Sequence, residues 1–115
     1  MEPSSDSLVT LQVLGPPAGP RLAATGEIDS TSAPQVRAAL EGLLEAGPRE
    51  IVVDLTAVTF LDSAGLCALA AVHRRAAAAD VKLRVLAATR AVIRPLEITG
   101  LWHMLGAERV ETAAS

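Results

Sequence analysis

Aromatic side chains are nearly missing from this chain: Phe60 and Trp102 are the only two among 115 residues, and there is no tyrosine. Two isolated rings do not make the stacking platform that a binder of single-stranded nucleic acid needs. Lysine is reduced to Lys82, and the ten basic residues are scattered through a chain of net charge −3. No basic stripe follows a phosphate backbone, so no nucleic-acid partner is expected. Cysteine is reduced to Cys67. An internal disulfide is thereby excluded, and a reducing compartment is the simple reading. The longest apolar run falls far short of the roughly 20 residues that a membrane span requires. Residues 1–8, "MEPSSDSL", lack the basic and apolar regions of a signal peptide. The expectation is a cytoplasmic protein without a membrane partner.

The usual equipment of catalysis is missing too. One cysteine and two histidines, His73 and His103, match no metal-ligand spacing. Neither a GxxxxGK phosphate loop nor a GxGxxG turn occurs. No metal and no cofactor are expected. Asp54 falls in mid-strand on a face that is expected to be wet, with Lys82 as its expected cross-strand partner. That is a poor setting for a phospho-accepting aspartate of the receiver type.

What is present is aliphatic: half of the residues are apolar, enough for one compact domain over residues 1–115, with an ordered core of about 8–110 and disordered ends. "LVTLQVL", Leu8 to Leu14, alternates Val9, Leu11 and Val13 inward. The loop "GPPAGP" joins it to a second strand, "RLAATGEID", as a plausible antiparallel pair. Ser32-Ala33-Pro34-Gln35 reads as a helix start, with Ser32 able to cap and Gln35 able to reach back. That helix stops at "AGP", Ala46 to Pro48. A third strand covers Glu50 to Val58. A helix follows from about Ser63 to Ala79, with Leu66, Leu69, Ala70 and His73 on one face. "VKLRVLA", Val81 to Ala87, is a fourth strand. A last helix runs from near Thr89, through a disruptive Pro95, to a left-handed stop at Gly100. Helical crossovers make strands two to four parallel and right-handed. The expected fold is α/β: a mixed sheet of about four to five strands with helices packed mainly on one face.

In a parallel sheet the strand-to-helix loops leave from one edge, where α/β folds usually keep their sites. Three such loops are expected here, holding Glu27 and Asp29, then Asp62 and Ser63, then Thr89 and Arg90. Asp29, Asp62 and Ser63 should therefore lie near one another. One of Asp62 and Ser63 can simply cap the second helix, a role worth about 1 kcal/mol. Ser63 does not sit in a nucleophile elbow, because residues 61–65 read "LDSAG". His73 lies about 15 Å along the same helix, out of reach for a general base. Only His103, beyond the last helix, keeps a serine hydrolase open. A serine that is acted upon fits better. A phosphate there would sit at a helix N-terminus and would add about −1.5 to −2 charges beside Asp62. A partner burying that edge would lose roughly 2–5 kcal/mol of binding.

"TGEIDSTSAPQVRAAL", "IVVDLTAVTFLDSAGLCAL" and "ITGL", in this order, resemble the bacterial anti-sigma factor antagonist family of STAS domains. The resemblance implies a STAS-like fold and no catalytic activity. It implies a protein that, unphosphorylated, binds an anti-sigma factor and frees the sigma factor. The partner is then an anti-sigma factor serine kinase, with ATP bound by that partner, and a serine phosphatase resets the switch. The family's modified serine maps onto Ser63 and its loop aspartate onto Asp29. The implied partner-binding residues are Asp29, Asp62, Ser63, Ala64 and Gly65. The alternative is a STAS scaffold subunit of a signalling or lipid-transport assembly, not gated at Ser63. The sequence departs from the family at Ala64, where a second hydroxyl is common, at Asp80, where glycine often ends the helix, and at Pro95. Cys67, one turn from Ser63, is read as a small, semi-buried side chain.

Overall fold

The computed structural model describes residues 9–111; the expected strand residue Leu8 and the expectation of disordered ends lie largely outside the described residues. In chain order the elements are β1 (Val9–Leu14), β2 (Arg21–Ile28), α1 (Ala33–Glu45), β3 (Glu50–Leu61), α2 (Ser63–Ala78), β4 (Lys82–Ala87), α3 (Arg90–Ile98), α4 (Leu101–Met104) and β5 (Glu108–Arg109). The strands lie in the sheet in sequence order, β1 antiparallel to β2 and all other neighbours parallel. Consecutive right-handed crossovers that step in one direction place α1 and α2 on the same face. The two helices pack on each other there, α1 touching β2 and α2 touching β3 and β4.

The core forms between that face and the helices. Leu40 and Val36 of α1 meet Ile51, Val53 and Leu55 of β3, Leu69 and Val72 of α2, and Val85 of β4, all essentially without solvent contact. Each such aliphatic side chain contributes about 1.5–3 kcal/mol on burial. Backbone breaks fall where the residue types demand them. Asp80 ends α2 with φ 62°, a left-handed conformation that glycine takes at less cost, and Gly100 ends α3 with φ 79°. Pro95 lies inside α3 without ending it; the Thr99 hydroxyl donates to the Pro95 carbonyl at 2.8 Å where the helix closes.

Four local expectations are corrected. β1 does not bury a full alternating face: Val9 is buried and Leu11 partly so, but Val13, toward the hairpin end of this edge strand, is 55% exposed. In α2 the buried residues are Gly65, Ala68, Leu69, Ala71, Val72 and Ala76, while Leu66, Ala70 and His73 are only half-buried. Apolar residues surround much of that helix, so its pattern carries little phase. Asp54 is buried and not on a wet face, and its partner is not Lys82. Lys82 stands in register with Glu50, whereas Asp54 takes the Arg21 Nη2 at 2.6 Å and the Thr56 hydroxyl at 2.6 Å. Ser32 stands at the N-cap of α1, but its side chain caps nothing, because it is spent elsewhere.

Candidate functional site

The site grows from two adjacent strand ends. Ile28, the last residue of β2, is in register with Leu61, the last residue of β3, and the Asp62 N–H donates to the Ile28 carbonyl at 3.2 Å. Asp29 and Asp62 therefore leave the sheet side by side, each opening the turn into a helix.

After β2, the Asp29 carboxylate gathers its own turn. Its Oδ1 accepts from the Thr31 N–H at 2.9 Å and the Ser32 N–H at 3.1 Å. The fully buried Ser32 hydroxyl accepts from the Asp29 N–H and donates to the Glu27 carbonyl, both at 2.9 Å. Asp29 and Ser32 thus clasp each other across the turn that precedes α1. The Ser32 N–H bond is the main reason that the Asp29 carboxyl is held below the usual carboxylate range, against a smaller opposing effect of burial.

After β3, every residue of "DSAG" has a separate position. Asp62 is the N-cap of α2, its Oδ1 accepting from Ala64 N–H at 2.9 Å and Gly65 N–H at 3.2 Å. Its carbonyl accepts the first helical bond, from Leu66 N–H at 3.0 Å. Gly65 is buried where α2 presses on the strand ends: a Cβ there would overlap the Leu61 side chain and stand 2.9 Å from Ile28 Cγ2. Ala64 is half-buried against the core. Ser63 alone has no such duty. It is exposed, and its hydroxyl makes no hydrogen bond among the described residues. The open choice between Asp62 and Ser63 as cap is resolved for Asp62.

Beside Ser63 lies an open, mainly apolar groove of about 310 Å³ between the starts of α1 and α2. Ser30, Ala33, Pro34 and Arg37 form one wall, and Ala64, Cys67 and Ala68 the other. Cys67 is exposed there, not semi-buried as expected. Phe60, in register with the exposed Glu27, is 45% exposed at the same edge. The sequence reading missed both the groove and Phe60. The signal was the pair Phe60-Leu61: two large apolar neighbours on one strand cannot both face the core.

The hydrolase alternative has no geometry. His103 sits in α4 and lines a separate cavity with His73, Ala76 and Ala77, at the far half of α2. That region is about 15 Å along the helix axis from Ser63. No helix among the described residues is long and apolar enough to cross a membrane.

Comparison with known proteins agrees with this architecture. The family described as "Mlab, STAS domain" matches residues 11–106. The anti-sigma-F factor antagonist RsfB of Mycobacterium tuberculosis is 37% identical over 76 residues, a stretch covering 66% of this chain and 62% of RsfB, so less than two thirds of that relative is matched. The crystal structure of an anti-sigma factor antagonist from Mycobacterium paratuberculosis superposes with a TM-score of 0.80 at 32% identity, covering 90% of this chain and 87% of that one. At 18% identity, the anti-sigma factor antagonist SpoIIAA in its unphosphorylated form shares the fold, with a TM-score of 0.74 and coverage of 91% and 90%. With the sheet order, the two paired strand-to-helix turns and these matches together, the chain belongs to the STAS-domain family that includes the anti-sigma factor antagonists.

Proposed function

We propose that this protein is an anti-sigma factor antagonist, whose unphosphorylated form binds an anti-sigma factor with serine kinase activity and whose binding is switched off by phosphorylation of Ser63. The observation that carries this reading is the division of labour at the start of α2. Asp62 holds the helix end, so Ser63 is left exposed and unbonded. Covalent change at Ser63 therefore removes no bond that the fold uses.

The contact surface comprises Asp29, Asp62, Ser63 and Ala64, with Phe60 and the α1–α2 groove adjoining and Gly65 supporting from beneath. A phosphate on Ser63 would find two of the nearest helix N–H groups already committed to the Asp62 carboxylate. Asp62, Asp29 and the exposed Glu27 are all acidic, so the added charge stays largely unneutralised and must remain in water. A partner that dehydrates this edge cannot accommodate it. The names of the relatives support an anti-sigma factor as the partner class. SpoIIAA, which shares the fold at 17% identity in its phosphorylated form, is itself found in both states.

The test is transfer. Incubation with the cognate anti-sigma factor and ATP should raise the mass by one phosphate in the wild type and not in Ser63→Ala. A serine phosphatase of the same pathway should restore the original mass. Absence of transfer, with stable binding to the same partner, would favour a scaffold role not gated at Ser63.

A further inference from the structure

A second feature, apart from Ser63, concerns the basic residues. Among the described residues four arginines are paired: Arg21 with Asp54, Arg37 and Arg75 with Glu41, and Arg84 with Glu50 and Glu108. Of those with no carboxylate partner, three converge. Arg90 and Arg94, one turn apart on α3, and Arg109 on β5 line a single concavity of about 240 Å³ with Ile93 and Glu97.

The fold brings them together by specific contacts. Arg109 is in register with Ala87, the last residue of β4, and the Val110 N–H donates to the Ala87 carbonyl at 2.8 Å. The short β5 is therefore fixed against the junction from which α3 departs. Glu108, the carboxylate adjacent in sequence, is turned to Arg84, with two bonds of 3.0 Å. It is not available to Arg109. Thr89, the N-cap of α3, spends its hydroxyl on the Val58 carbonyl at 3.0 Å and offers no side-chain acceptor to the first turn. Three guanidiniums against the one carboxylate of Glu97 leave two positive charges in excess, in a protein that is acidic as a whole.

We propose that this concavity is a binding site for a small phosphoryl-bearing anion. Guanidinium forks match phosphoryl oxygens in pairs, and a tetrahedral group can serve several forks at once, whereas a single carboxylate fills one. A monophosphate carries about −1.5 to −2 charges near neutral pH and pyrophosphate more, so either can neutralise the local excess. The assignment does not depend on the reading of Ser63.

Titration of the full chain with sodium pyrophosphate, followed by backbone N–H resonances in low-salt buffer, tests it. Saturable shifts are expected over Arg90–Arg94 and Glu108–Val110, with citrate about tenfold weaker. Arg94→Gln, an exposed substitution, should weaken pyrophosphate binding about tenfold, and Arg94→Lys by less. Ser63→Ala should bind like the wild type. The proposal is overturned if shifts do not saturate, if they appear equally at Arg49 and Arg74, or if Arg94→Gln binds unchanged. Equal affinity for citrate, or tighter binding of a poly-glutamate peptide at the same arginines, would overturn the phosphoryl assignment as well.

Discussion

Phosphorylation of Ser63 should reduce partner affinity by orders of magnitude while scarcely changing the stability of the free domain. The size of each effect follows from the geometry. Ser63 is the first residue of α2 and its neighbour Asp62 is the cap. Two charges on the phosphate and one on Asp62, some ~6 Å apart in water, repel by about 1.4 kcal/mol before salt screening, and by about half that at physiological ionic strength. The positive end of the helix returns about 0.3–1 kcal/mol. The net effect on folding is within ~1 kcal/mol of zero, a shift in Tm of less than about 5 °C for a domain of this size. In the complex the same charge would be dehydrated without a mate, at a cost of about 2–5 kcal/mol, or about 30- to several-thousand-fold in Kd. Thermal unfolding of the phosphorylated and unmodified proteins, with calorimetric titration of both against the anti-sigma factor, measures the two numbers side by side. A fall in Tm of more than about 10 °C accompanying the loss of binding would show that the phosphate acts by unfolding, and the reasoning would fail. Unchanged affinity would remove Ser63 from the interface.

Two glycines in helices should respond in opposite directions: Gly65→Ala, which meets Leu61 and Ile28, should destabilise by about 1–3 kcal/mol in urea, while Gly42→Ala in α1, with nothing within 4 Å, should stabilise by about 0.5–1 kcal/mol. Asp54→Asn should cost about 1–2 kcal/mol at pH 7, because the Arg21 guanidinium loses its charged partner while the Thr56 bonds can survive. Burial pushes the Asp54 carboxyl up, but the Thr56 and Arg21 bonds together hold it below the usual range. Its contribution is therefore present above about pH 4 and is lost as pH falls through the lowered value, so the stability difference between wild type and variant in urea should shrink steadily as pH falls below about 4. Asp29→Asn keeps the Oδ1 acceptor for the Thr31 and Ser32 N–H groups and should leave the circular dichroism spectrum and Tm close to wild type while weakening kinase transfer; a collapse of the fold would make the charge itself structural.

The parallel sheet, the crossovers and the shared edge were legible because they rest on signals that tertiary context reinforces. "LTAVTFLDSAGL" changes from a strand pattern to a helical pattern at Asp62, and Asp29 occupies the matching junction one strand earlier. Sequence registers could not be read so well. β3 runs three residues beyond the expected Val58, to Leu61, and the β2–β3 ladder shifts register between Ala23 and Thr25 and between Gly26 and Glu27. Those irregularities turn Val58 inward, out of phase with Leu55, and then restore the alternation that leaves Phe60 outward and Leu61 inward. Asp54 was misplaced for a related reason. Its partner Arg21 lies 33 residues earlier, on a neighbouring strand, and no local pattern announces such a pair. Cys67 and Pro34 face each other across the groove only because α1 and α2 pack together, which is a fact of the fold and not of either segment.

The capping chemistry explains why a hydroxyl at one helix start can serve as a switch while one at the other cannot. Ser32 and Ser63 both stand where β-strands hand over to helices, and by sequence Ser32 is the better cap. In the fold Ser32 is fully buried and bonded to Glu27 and Asp29. A phosphate there would break the clasp and place an unpaired dianion in the core, which the domain could not survive. At α2 the order is reversed: the aspartate comes first and takes the cap, displacing the serine by one position onto the surface. An acid immediately before the hydroxyl therefore does two things. It frees the serine from structural duty, and it ensures that any added phosphate meets a like charge and has no ready internal partner. Exchanging the two residues, as Asp62→Ser with Ser63→Asp, should keep a capped α2, because serine caps nearly as well as aspartate. The hydroxyl would then be committed to the Ala64 and Gly65 N–H groups. Such a variant should fold with a Tm near that of the wild type and yet accept no phosphate from the kinase. Efficient transfer to the hydroxyl in its relocated, capping position would show that freedom from capping is not what suits Ser63 to the proposed switching role.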